Sequence, residues 1–130
     1  MSTKRKPTAH ARAVAFFMKH AGSSYTPGKE TRAQGKRRGA IKLAKAEAEA
    51  SARGWTFEWE HDPHADLSWA DEQAREDIDE VLSAVLRSDD NEVLASLGGI
   101  TFGRDNMANR NYRRVVEAEL AQEALGRSVG

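Results

Sequence analysis

Six cations crowd one stretch of this chain. Arg32, Lys36, Arg37, Arg38, Lys42 and Lys45 fall in a segment, 32–45, that contains no Asp or Glu. Cations near the start of a helix oppose its macrodipole. They are easier to understand beside an anion, which free amides and guanidinium groups can hold together. The plainer reading is a solvated helix face, or pairing with the chain's own acids. A run of opposite sign follows at Asp71, Glu72, Glu76, Asp77, Asp79 and Glu80. It either imitates a phosphate track and occupies a partner's basic groove, or is a solvated face.

Other residues carry weaker chemistry. His61 and His64, with Asp62 and Asp66, offer nitrogen and oxygen ligands, but no spacing fixes a further ligand pair, and such turns are common on surfaces. The segment 22–29, Gly-Ser-Ser-Tyr-Thr-Pro-Gly-Lys, has residue types that suit a phosphate, yet it lacks the spacing of a P-loop and no strand precedes it. It reads better as a connector between helices. Trp55, Phe57 and Trp59 have rings for base stacking. Glu58 and Glu60 beside them repel a polyanion, so the rings read as core. No serine sits in a nucleophile-elbow context, and Glu117, Glu119 and Glu123 have no histidine at metal-ligand spacing. The residues point to binding and not to catalysis, with no cofactor.

The charge pattern frames these sites. Residues 1–53 carry 13 Lys/Arg against 3 Asp/Glu, and residues 54–130 carry 7 against 17. An excess of +10 is therefore followed by one of −10. Such asymmetry points to an anionic partner, or to one half answering the other. In a homo-oligomer the basic half of one chain would meet the acidic half of another. The absence of cysteine excludes disulfides, thiolate zinc and a cysteine nucleophile. No apolar run approaches the roughly 20 residues that span a bilayer. The basic start, residues 1–8, reads as a frayed terminus and not as a signal peptide.

Hydrophobic periodicity places the elements. Val14, Phe17, Met18 and Ala21 share one face of a helix over 9–20. Thr31 and Gln34 match a capping box, which starts a second helix over 32–53 with Ile41, Ala44, Ala48 and Ala52 as its apolar stripe. Gly35 and Gly39 inside it either admit another backbone or push the start to Ala40. Residues 55–60 alternate with period two and form a strand. Ser68 and Asp71 resemble a helix start, with one or two acidic turns over 71–77. Residues 78–100 fit a helix or a hairpin. A lone strand leaves its ladder groups unpaired, so the hairpin is preferred, with strands over 80–87 and 92–98 and Gly98-Gly99 ending it. Asp105 or Asn106 caps a last helix over 107–125, which buries Tyr112, Val115, Val116, Leu120 and Ala124 and exposes an Arg113–Glu117 pair. The expected fold is one α+β domain over 9–130: a three-stranded antiparallel sheet covered on one face by three helices.

Three stretches carry a likeness. They are Thr26-Pro-Gly-Lys-Glu-Thr31 running into Lys36-Arg-Arg-Gly-Ala-Ile-Lys-Leu-Ala-Lys-Ala-Glu47; Gly54-Trp-Thr-Phe-Glu-Trp-Glu60; and Val93-Leu-Ala-Ser-Leu-Gly-Gly-Ile100 with Asn111-Tyr-Arg-Arg-Val-Val-Glu-Ala-Glu-Leu-Ala-Gln-Glu-Ala124. Together they resemble small uncharacterised proteins of tailed bacteriophages, including phages of actinobacteria. The resemblance covers the chain from about residue 16 onward. It favours the hairpin, because the related sequences carry a Gly-containing turn where this chain has Asp89-Asp90-Asn91. It supplies a setting and no chemistry. What it implies is a phage accessory protein in the host bacterial cytoplasm, binding a host protein or other host macromolecule in a takeover or anti-defence role. Direct nucleic-acid binding through the basic half, and sequestration of a small phosphorylated nucleotide signal, are the other readings.

Overall fold

The computed structural model describes residues 6–21, 25–103 and 106–128. The frayed terminus expected over 1–8 lies outside the described residues as far as position 5, as do Gly22–Ser24 of the connector and the candidate cap Asp105.

Local chemistry starts and stops each helix. Helix α1 (Ala9–His20) is capped by Thr8, whose hydroxyl accepts from the Ala11 N–H at 3.0 Å. Helix α2 (Arg32–Ala52) opens on the predicted capping box. The Gln34 N–H donates to Thr31 Oγ1 at 3.1 Å, and the Thr31 N–H donates to Gln34 Oε1 at 2.9 Å. Gly35 lies inside the helix because its missing side chain admits another backbone: a Cβ there would stand 2.6 Å from the Tyr25 Cα. The chain leaves α2 through Gly54 at φ +74, with the Trp55 N–H donating to the Ala50 carbonyl at 3.0 Å.

The sheet is antiparallel, in the order β1 (Thr56–His61), β2 (Ile78–Arg87), β3 (Val93–Gly103). A short helix, α3 (Glu72–Glu76), precedes β2. Its cap is Asp71, which accepts from the Ala74 N–H at 2.8 Å, while the Ser68 N–H turns back to Asp66 at 2.9 Å. The helix start predicted at Ser68 therefore moves to Asp71. The hairpin turn closes with the Asn91 N–H on the Ser88 carbonyl at 2.9 Å and Asn91 at φ 69. Asparagine is, after glycine, a residue type that enters the left-handed region readily.

One expected boundary fails. Gly98-Gly99 does not end β3: the strand bulges there and resumes, pairing Ile100 with Leu82 and Thr101 with Val81. Gly99 takes φ +66, and its N–H donates to the Asp62 carboxylate at 2.8 Å. Burial of Ile100 and Phe102 holds the resumed half on the core.

Helix α4 (Asn106–Ser128) packs on β2 and β3, α2 packs on α4, and α1 packs mainly on α2. Two buried clusters result. One joins Leu82, Ala84, Leu86, Ile100 and Phe102 of the sheet to Ala46 and Ala50 of α2 and Val116 and Leu120 of α4. The other joins Val14 and Phe17 of α1 to Ala40, Leu43 and Ala44 of α2 and Val115 of α4. The aromatic residues of β1 are half-buried against the first cluster, on the core side as their alternation implied. The α2 stripe is rotated from the one expected: Ala40, Leu43, Ala44, Ala46 and Ala50 are buried, whereas Ala48 and Ala52 are exposed. The helix is sandwiched between α1 and α4, and that arrangement selects the face.

Candidate functional site

The six α2 cations do not form one undivided patch. Arg38 is engaged with Glu30, the residue just before the helix cap: its Nε donates to both carboxylate oxygens at 3.2 and 3.3 Å, and Nη2 reaches Thr26 Oγ1 at 3.4 Å. The anion that the helix start called for is thus the chain's own. The Arg38 hydrogen bond holds the Glu30 carboxyl below the usual glutamate range, outweighing the opposing effect of desolvation. Arg37 lines a groove between α1 and α2, with Val14, Met18 and Ile41. Lys42 and Lys45 line a second groove, about 690 Å³, between α2 and the end of α4. Its floor includes Ala46, Ala48, Ala52 and Leu125. Arg32 is exposed and Lys36 half-buried. Among the described residues, Arg32, Lys36, Arg37, Lys42 and Lys45 have no carboxylate partner.

The acidic run also divides. Asp71 is spent on capping α3, and Asp77 ends that helix. Glu72 and Glu76 line one depression with Ala70 and Arg75. Asp79 and Glu80, on β2, line a different cleft. The His61–Asp66 turn has structural tasks: Asp62 receives the Gly99 and His64 N–H groups, and Asp66 receives Ser68. Among the described residues, no group of three or more His, Asp or Glu side chains is placed to hold a metal ion.

The cleft at Asp79 and Glu80 is built from four elements and has a volume of about 790 Å³. Glu47 comes from α2, Trp59 from β1, Asp79 and Glu80 from β2, and Arg110, Arg113, Arg114 and Glu117 from α4. Two pairs stiffen its wall. Arg114 grips Glu47 with two hydrogen bonds, at 2.7 and 2.9 Å, and its guanidinium lies over Phe16, 4.1 Å from the ring centre. The bond to Glu47 holds the Arg114 guanidinium above its ordinary value, against a smaller desolvation effect. The Trp59 indole N–H donates to Glu117 at 2.9 Å. Arg113 lies over Trp59 and Phe102 at 5.2 and 5.3 Å. The expected Arg113–Glu117 surface pair is therefore absent, because both side chains turn to Trp59 instead. Sequence reasoning missed this cleft, although Arg110, Arg113 and Arg114 fall at i, i+3 and i+4 and so share a helix face.

No protein-family model matches the chain, and no curated protein and no solved structure matches it. Among the described residues, no helix is long and apolar enough to cross a membrane.

Proposed function

We propose that this protein is a non-enzymatic phage accessory protein that binds a host macromolecule through the cationic face of α2. One observation carries the reading: the charge segregation survives folding. No ion pair among the described residues joins a Lys or Arg of 1–53 to an Asp or Glu of 54–130. The single pair that crosses between the halves, Arg114–Glu47, runs the other way. Among the described residues the basic excess is therefore left unpaired by the acidic half, and we read it as offered to a partner.

A protein partner fits better than nucleic acid. The cations border grooves with apolar floors, at Val14, Met18 and Ile41 and at Ala48, Ala52 and Leu125. A partner with acidic and apolar groups meets both features, whereas a phosphate track uses only the charge. Reversal of Lys36, Arg37, Lys42 and Lys45 to Glu tests this by affinity capture from infected bacterial lysate, with and without nuclease. The expected result is a host protein retained by the parent despite nuclease and lost from the reversed variant. Retention that nuclease abolishes would select the nucleic-acid reading. Equal capture by parent and variant would remove α2 as the binding face.

A further inference from the structure

The cleft between β2 and α4 contains four charged side chains that make no ion pair among the described residues. Arg110 and Arg113 stand on the helix side, and Asp79 and Glu80 on the strand side. Among the described residues, none of the four makes an ion pair or a side-chain hydrogen bond, in contrast to the engaged Glu47, Arg114, Glu117 and Trp59. Two positive and two negative groups thus line one cleft without pairing among the described residues. Arg113 is held back by its contact with the Trp59 and Phe102 rings. The two acids sit at a bulge of β2, where Glu80 pairs with Phe102 and Asp79 falls between that pair and Ile78–Gly103.

We propose that this cleft binds a small zwitterion, its anionic group taken by Arg110 and Arg113 and its ammonium group by Asp79 and Glu80. Guanidinium groups suit a carboxylate or phosphate because their donors match two acceptor oxygens at once. Carboxylates accept from an ammonium group in the same way. A ligand with only one charge would leave the opposite wall unsatisfied, whereas a zwitterion spans both. The volume of about 790 Å³ suits a small molecule. None of the α2 cations lines this cleft, so the proposal stands apart from the macromolecular reading.

The test uses the ω-amino acids from glycine to 6-aminohexanoate as probes, with butyrate and butylammonium as single-charge controls. Binding is followed by nuclear magnetic resonance at the Trp59 indole N–H and the Arg113 Nε–H. The expected result is saturable shifts at both groups, with an optimum chain length that matches the gap. The best amino acid should bind about tenfold more tightly than either control, equivalent to about 1.4 kcal/mol. Asp79→Asn with Glu80→Gln should erase that advantage and leave butyrate binding intact. Arg110 is exposed, so Arg110→Gln leaves the fold in place and should weaken both butyrate and the amino acids. The proposal is overturned if no probe shifts these signals saturably, if butyrate binds as well as the best amino acid, or if the variants bind like the parent.

Discussion

Arg38 and Arg114 show how this chain uses its arginines. Each takes a half-buried or partly shielded glutamate from another part of the chain: Arg38 secures Glu30 of the loop before α2, and Arg114 secures Glu47 across the α2–α4 contact. A planar fork makes these fixed joints where lysine would give a looser one. The Arg38–Glu30 joint has a pH signature. The folded Glu30 carboxyl titrates below its ordinary value. Its contribution is therefore complete above the unfolded value of about 4.3 and is lost as pH falls through the lower folded value. Arg38→Gln should melt below the parent at neutral pH, and the gap should close as the pH is lowered past about 4. Thermal melts across an acid series measure it, and a gap that stays constant with pH would contradict this assignment.

Gly35 shows how one residue type sets the placement of a whole segment. The Tyr25 backbone lies where a Cβ at position 35 would be, so the connector is seated on the first turns of α2. Gly35→Ala should destabilise the protein by about 1–3 kcal/mol, through forced separation of the two backbones. Gly126→Ala, in a helix position with open space around it, should be neutral or stabilising by up to about 1 kcal/mol. Chemical denaturation compares the two. If both behave alike, the close approach at Gly35 has no energetic weight. The helices α1 and α4 were legible from their apolar spacing, and α2 from its capping box. β1 was legible from its alternation, and the hairpin only because β1 needs a partner. The buried face of α2 was not legible. Alanines surround that helix, and alanine is nearly indifferent to being buried or exposed. The continuation of β3 past Gly98-Gly99 was missed for a different reason. A glycine pair signals a strand end and a bulge alike, and the choice was made by Asp62, 37 residues away, and by burial of Ile100 and Phe102.

At the scale of the molecule, no ion pair among the described residues joins the basic excess of the first half to the acidic excess of the second. Four of the five ion pairs found among the described residues stay within one half, and the fifth crosses with reversed polarity. Stability should therefore rest on the two apolar clusters and change little with salt. Raising ionic strength from about 0.05 to 0.5 M should move the melting temperature by no more than a few degrees, because it screens exposed charges that contribute little to folding. A steep fall in melting temperature would show that attraction between the halves is part of the fold. The order of charges along the chain, the amphipathic spacing of α1 and α4, the alternation of β1 and the capping box of α2 were determined by the sequence alone, because each depends on neighbours a few residues apart. Which charges remain unpartnered was decided only by the tertiary structure. Glu30 lies next to the α2 cap and claims Arg38, while the packing of α2, β1, β2 and α4 brings Glu47, Trp59, Asp79, Glu80 and the α4 arginines around one cleft. Those neighbours come from distant parts of the chain, and no local pattern encodes their meeting.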